Sequence, residues 1–259
     1  MVVMEQSFIF IDIDETLYDN RHQKIYDSAR EAVFKLSEAG HELCIATGRS
    51  ASEISSEIKA LPFDYFILSN GQHIAKKDEM LEQVGIDTEI LEKLIERATE
   101  LDIALGLVSA YESSLVHVNE HVVKAFEKFK VPLPKVDAEL YKRMPILQVM
   151  ILSEDFKGMD VEFESHLRFV RWSECGAHIL PVGASKANGI KRLLAILPEL
   201  PKHIVAFGDG YNDMEMLKIA NIGVAMGNAP DTVKNIADFV TKPIDEDGIY
   251  HACEQLTLF

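Results

Sequence analysis

Short apolar runs that stop abruptly at polar clusters alternate, along this chain, with segments whose apolar positions follow a helical period. Residues 7–11 form a continuous, largely aromatic and β-branched run, which predicts a strand buried on both faces of a parallel sheet. Ala29, Ala32, Val33 and Leu36 recur at i, i+3, i+4 and i+7, so residues 25–39 are expected to form a helix with one buried stripe, stopped by Gly40. Residues 43–46 read as a second strand ending at Thr47-Gly48-Arg49-Ser50. A helix over 51–60 follows, then a third strand over 65–68 that ends at Ser69-Asn70-Gly71. This alternation of strand and helix predicts an α/β fold with a parallel sheet and right-handed crossovers.

Near residue 85 the rhythm changes. Residues 87–101 predict a charged amphipathic helix. Strand-like runs at 103–110 and 114–118, a helix over 119–129 and a connector with Pro132 and Pro134 come next. Further strands are expected at 146–152 and 168–172, with a helix over 155–166 between them. That mixture reads as an inserted α+β domain over 85–180, leaving 1–84 and 181–259 as one core. The first rhythm then returns. A helix opens around Ser185-Lys186, a strand at 203–207 ends in Gly208-Asp209-Gly210-Tyr211-Asn212-Asp213, a helix begins near Met214, and short strands follow at 222–226 and 239–241.

Composition narrows the class. With 259 residues, 47% hydrophobic and 26% charged, the chain is expected to be an ordinary globular protein. A formal net charge of −16 argues against a nucleic-acid partner, which would require a basic stripe. Any anionic substrate must therefore be drawn in by local positive groups. Cys44, Cys175 and Cys253 are widely spaced and read as reduced, buried thiols. No run has the length of a membrane span and the N-terminus lacks a signal-peptide layout, so a cytoplasmic protein with no membrane partner is expected. No oligomeric state follows from the sequence.

The candidate chemistry sits where strands end. Asp12 and Asp14 close the first strand, and residues two apart on a strand point to one side. In an open α/β sheet, ligands bind just beyond the carboxyl ends of the strands. Two such carboxylates need a cation or proton between them, and oxygen-only ligation suits Mg²⁺. The plainer reading is a capped or solvated turn. Thr47, with the backbone N–H groups of Gly48 and Arg49, makes an anion-binding corner, although alone it reads as an ordinary N-cap. Lys186 opens a helix, where a cation is unfavourable unless an anion offsets it; alone it reads as a surface lysine. The Gly208 to Asp213 loop again places acidic residues after a buried strand, and by itself is a glycine-rich turn.

Taken together and in this order, Asp12-Ile13-Asp14-Glu15-Thr16, Thr47-Gly48, Lys186 and Gly208-Asp209-Gly210-Tyr211-Asn212-Asp213 resemble the four motifs of the haloacid dehalogenase superfamily. Ser69-Asn70-Gly71, the long insertion and Gly223-Val224-Ala225-Met226-Gly227-Asn228-Ala229 look like its Cof-type phosphatase branch. The resemblance implies a Rossmann-like core with helices on both faces, an inserted α/β cap over 85–180, and a Mg²⁺-dependent phosphomonoester hydrolase acting on a small phosphorylated metabolite. Asp12 would be the nucleophile that forms an aspartyl phosphate, and Asp14 the general acid and base. Mg²⁺ would be held by Asp12, the Asp14 backbone carbonyl and Asp209, with Asp213 orienting metal waters or Lys186. Ile13, Thr47, Gly48, Lys186 and Asn212 would hold the phosphate.

Glu15 departs from the family pattern, which usually has glycine there. It is expected to point to the cap or solvent, so that Glu15→Gly leaves turnover of small esters nearly intact. Arg49, His73 and Arg143 read as surface or packing residues, and Tyr111, His117 and His178 are cap candidates for substrate contact. A phosphotransferase or phosphomutase on the same scaffold is the competing enzymatic reading. A vestigial phosphate-binding module is the competing non-enzymatic one, while a receiver-type signalling domain does not suit the insertion.

Overall fold

The computed structural model describes residues 6–129, 133–153, 155–173 and 176–259. Cys175 and the Val131-Pro132 part of the expected connector lie outside the described residues. The chain divides into two compact units. One comprises the residues up to Arg49, Glu53–Glu82 and Ser185–Phe259; the other comprises Ser50–Ser52 and Gln83–Ala184.

The first unit holds a sheet of eight strands in the order Phe239–Val240, Ile222–Ala225, His203–Gly208, Ser7–Ile11, Glu42–Ala46, Tyr65–Leu68, His73–Lys76, Glu79–Gln83. The six strands from Phe239–Val240 to Tyr65–Leu68 run parallel, and Ser7–Ile11 sits among them with Ile11 opposite both Phe207 and Ile45. Every residue of Ser7–Ile11 is buried, as a strand covered on both faces requires. Phe8 and Phe10 stack with centroids 4.6 Å apart and pack with Ala187, Ile190 and Leu193 of the Lys186–Ile196 helix and with Met216 and Leu217 of the Met214–Ile219 helix. The expected stripe of Ala29, Ala32, Val33 and Leu36 is buried on the Asp27–Glu38 helix. That helix packs on Gly248–Gln255, and Lys186–Ile196 packs on Met214–Ile219, giving the sheet its two helical layers.

The second unit is built on a five-stranded sheet in the order Ser113–Leu115, Leu105–Val108, Gln148–Ile151, Gly176–Pro181, Leu167–Ser173, with every neighbouring pair antiparallel. Its core joins Leu91, Leu94 and Ala98 of the Thr88–Glu100 helix to Leu105, Val149, Ile151 and Ile179 of the sheet.

Several expectations change. The helix expected over 51–60 is a 3₁₀ turn, Ala51–Glu53, followed by one helical turn, Ser56–Lys59, because Ser55 caps a new start by accepting from the Ile58 N–H at 3.4 Å. The helix expected over 155–166 contracts to Met159–Glu162, since Gly158 enters it at a left-handed φ of 81°. The sequence reading also missed the His73–Lys76 strand, which folds back antiparallel on Tyr65–Leu68, the Gly176–Pro181 strand and the Gly248–Gln255 helix. Among the described residues, no helix is long and apolar enough to cross a membrane.

Candidate active site

Parallel neighbours end on the same edge of a sheet, so their following loops meet there. At that edge Asp12 follows Ser7–Ile11, and its N–H donates to the Phe207 carbonyl at 3.0 Å. Asp209 follows His203–Gly208 on the adjacent strand. Lys186 is the first residue of its helix, whose N-cap Ser185 accepts from the Asn188 N–H. Its side chain is 1% exposed and places Nζ 2.5 Å from both Asp12 Oδ1 and Asp213 Oδ1. Carboxylate oxygens of Asp12, Asp209 and Asp213 lie within 4.8 Å of one another.

The electrostatics follow from that crowding. Burial, and then the charge of Asp213, push Asp12 well above the ordinary carboxylate range against the pull of Lys186. Burial and Asp213 likewise push Asp209 up to about 7. Burial alone would lower the Lys186 pKa, but Asp12 and Asp213 outweigh it and keep the ammonium charged. Three converging carboxylates whose charges push Asp12 and Asp209 up are the donor set that a hard divalent cation relieves, and the residues fit one. Asp213 contacts Lys186, one of the two partners expected of it. Its Oδ1 faces Lys186, while its Oδ2 accepts from the N–H groups of Asp209 and Gly210 at 3.0 and 2.8 Å. Gly208 makes this possible through space, because a Cβ there would stand 2.6 Å from the Asp213 side chain.

Asp14 faces a different set of partners. Arg49 donates to it from Nη2 at 2.6 Å and from Nε at 3.1 Å, and Asn20 Nδ2 donates at 2.8 Å. Burial would raise the Asp14 pKa, but the Arg49 hydrogen bonds and charge outweigh it and hold it below the usual range. Arg49 was read from the sequence as a surface or packing residue. Its guanidinium instead grips a predicted site residue and lies over the Tyr18 ring, 5.3 Å from the centroid. Its place directly after Thr47-Gly48, at a strand end, was the available signal. Thr16 was also missed: its hydroxyl donates to Asp209 Oδ1 at 3.0 Å.

The remaining expected residues fall around this centre. The Ile13 carbonyl closes the turn after Asp12 by accepting from Thr16, Leu17 and Tyr18. Thr47 is fully buried, and its hydroxyl accepts from the Arg49 N–H at 3.2 Å. Asn212 donates to Asn70 Oδ1 at 3.4 Å, and Asn70 in turn lies against Gly48. Glu15 takes a left-handed φ of 58°, the conformation that explains glycine in its place elsewhere in such motifs. Its carboxylate turns back to accept from the Asn20 N–H, and its carbonyl accepts from Asn228 Nδ2 at 2.8 Å. His73 is buried in its strand, whereas Arg143 pairs with Asp137 in the second unit. Tyr111, His117 and His178 also lie in the second unit.

Residues 9–253 match the sequence family described as haloacid dehalogenase-like hydrolase. The chain belongs to that family. It is 34% identical over 256 residues to YkrA of Bacillus subtilis, a protein whose name carries a provisional phosphatase assignment; the match covers 98% of this chain and 99% of YkrA. A solved phosphatase of the same superfamily, BT1666 from Bacteroides thetaiotaomicron, superposes with a TM-score of 0.90 at 31% identity, covering 98% of this chain and 96% of that one. The subclass IIB sugar phosphatase BT4131 gives a TM-score of 0.85 at 29% identity, covering 98% and 100%. This haloacid dehalogenase-like hydrolase is accordingly a phosphatase, and its fold is the α/β fold that the motifs implied.

Proposed function

We propose that this phosphatase is a Mg²⁺-dependent phosphomonoester hydrolase acting on small phosphorylated metabolites, sugar phosphates or phosphorylated cofactors, through an aspartyl phosphate on Asp12. The observation that carries the reading is the meeting of Asp12, Asp209 and Asp213 around the buried ammonium of Lys186. The likeness to BT4131, a sugar phosphatase, supports the substrate class.

Asp12 Oδ attacks phosphorus in line with the leaving oxygen, forming one P–O bond as the other breaks. Lys186 holds Asp12 in place and neutralises phosphate charge, with Ile13, Thr47, Gly48 and Asn212 as further phosphate partners. Asp14 delivers a proton to the leaving oxygen and then takes one from the water that attacks the aspartyl phosphate. To do so it leaves its Arg49 partner and first takes up a proton from solvent, since the ion pair keeps it ionised. Asp12, Asp209 and the Asp14 carbonyl would hold Mg²⁺, with Asp213 beside them. When bound, the ion supplies charge neutralisation between nucleophile and phosphate.

The domain reading accompanies this. The unit with Asp12, Lys186 and Asp209 is the hydrolase core, and the Gln83–Ala184 unit is the cap. Cys44 and Cys253 are buried free thiols, which suits a cytoplasmic site of action.

Phosphate release from p-nitrophenyl phosphate and a panel of sugar phosphates, with Mg²⁺ or with a chelator, tests the reading. Wild type releases phosphate only with Mg²⁺, and Asp12→Asn loses at least about 10⁴-fold in turnover. Isomerised sugar phosphate in place of inorganic phosphate would transfer the assignment to a phosphomutase. Hydrolysis that persists in Asp12→Asn would remove the nucleophile.

A further inference from the structure

The turn Ser69–Gly71 plays no part in the mechanism above, yet it is held in an unusual shape. Ser69, Asn70 and Gly71 follow one another with φ of 50°, 53° and 91°, a region that side-chain-bearing residues enter at a steric cost. Asparagine is among the residues that tolerate it best. The turn is pinned on two sides. Ser69 N–H donates to the Arg49 carbonyl at 2.8 Å, and Asn70 N–H donates to the Thr47 carbonyl at 3.0 Å. Gly71 lies against the start of the Lys186–Ile196 helix, where a Cβ would stand 2.3 Å from the Ser185 carbonyl oxygen. One turn thus touches the loop that carries Thr47 and Gly48 and the segment that carries Lys186.

From that point the Asn70 side chain reaches the remaining loop of the site. Its Oδ1 accepts from Asn212 Nδ2 at 3.4 Å. Its Nδ2 lies 3.2 Å from where a Cβ on Gly48 would stand, so the carboxamide spans the gap between Gly48 and Asn212. The residue is only 6% exposed. Among the described residues its Nδ2 makes no hydrogen bond, because its bonds are those to Thr47 and Asn212. With no acceptor in the protein, Nδ2 can donate to a ligand that brings one. It stands here between two residues assigned to the phosphate.

The geometry points to Asn70 as a phosphate-binding residue: Nδ2 donates to the phosphate oxygens held at Gly48, while Oδ1 fixes the amide of Asn212 for the same ligand. The inference rests on the phosphate site proposed above and adds to it a residue outside the four motifs that carry Asp12, Thr47, Lys186 and Asp209. The strained turn then has a use. It brings a side-chain donor to a point that the Thr47 loop, with only a glycine there, cannot fill itself.

Two substitutions separate this role from that of a turn residue. Asn70→Asp keeps the shape, tolerates the left-handed backbone and retains an acceptor for Asn212, but puts a negative charge where the donor stood. Asn70→Gly keeps the backbone conformation and removes the carboxamide. The readouts are the inhibition constant of inorganic phosphate and KM against kcat for p-nitrophenyl phosphate, in Mg²⁺-loaded enzyme, alongside the melting temperature. Asn70→Asp is expected to raise the phosphate inhibition constant and KM by about tenfold to a hundredfold, and Asn70→Gly by about tenfold, from loss of a charge-assisted hydrogen bond. If Asn70→Asp does not fold, Asn70→Gly carries the test. Wild-type values of both constants in a folded variant, with wild type active and Asp12→Asn inactive, overturn this inference and leave the hydrolase reading standing. A wild type that releases no phosphate overturns both.

Discussion

In the first unit, burial runs straight into charge. Ile11 is wholly inaccessible and Asp12, its neighbour, is 4% exposed, with Lys186 and Asp213 buried beside it. The ion pairs of the second unit lie at its surface: Arg97 binds Glu100 and Glu162, Lys142 binds Glu139, and Arg143 binds Asp137, with every one of these side chains open to solvent in part. Among the described residues, the group able to hold a metal ion belongs to the first unit. Topology explains the difference. Parallel strands deliver the loops after Ile11, Ala46, Leu68 and Gly208 to one edge, where groups distant in sequence converge. An antiparallel sheet sends successive strand ends to opposite edges, so its polar groups stay dispersed.

The largest test of that contrast is Lys186→Met. It leaves Asp12 and Asp213 buried without their counter-charge, which is expected to lower unfolding free energy by about 3–5 kcal/mol. Mg²⁺ should then stabilise the variant more than it stabilises wild type, as urea unfolding with and without the ion will show. A loss no larger than that of a surface lysine would break the contrast.

Leu94→Ala probes the other unit. Leu94 is fully buried in the apolar cluster under the second sheet. Its truncation is expected to cost about 3 kcal/mol through lost contacts and a residual cavity. The increment added by Mg²⁺ should equal that of wild type. A changed increment would show that the apolar unit contributes to the cation site.

A smaller effect is expected at Asp19, in the loop after the first strand. Its carboxylate accepts from the His22 N–H at 2.9 Å and from the Tyr26 hydroxyl at 3.0 Å, and pairs with the His22 ring at 2.8 Å. Burial would raise its pKa, but these partners hold it far below the usual range. A depressed folded-state pKa adds stability above the unfolded value, near 3.9 for Asp, and that stability is lost as pH falls. Asp19→Asn should therefore cost about 1–2 kcal/mol at pH 7, with the gap to wild type narrowing below about pH 4. A gap independent of pH would contradict this.

The elements that proved easiest to read were those with both a clean period and an abrupt end. The apolar run before Asp12, the stripe of Ala29 to Leu36 and the third strand all appear where the pattern put them. Failures had local causes. Gly158 cut a helix short through its own φ, and Ser55 restarted one by capping. The His73–Lys76 strand carries no signal beyond four mixed residues, since its place depends on pairing with Tyr65–Leu68. At the site, the structure brings together Asp12, Lys186 and Asp209, which lie at strand and helix ends and which the family resemblance joined. Arg49 was not legible, because its meaning lies in a contact with Asp14 that spans 35 positions of sequence. Nor was the assignment of Ser50–Ser52 to the second unit, which no composition change marks.

The stereochemical course at phosphorus tests the central claim most directly. A phosphorothioate ester carrying sulfur and two different oxygen isotopes on phosphorus is hydrolysed in water of the third isotope, and the configuration of the released thiophosphate, whose four ligands all differ, is determined. Attack by Asp12 followed by attack of water inverts phosphorus twice, so the account predicts net retention. Net inversion would mean that water displaces the leaving group in a single step, and Asp12 would no longer be the nucleophile.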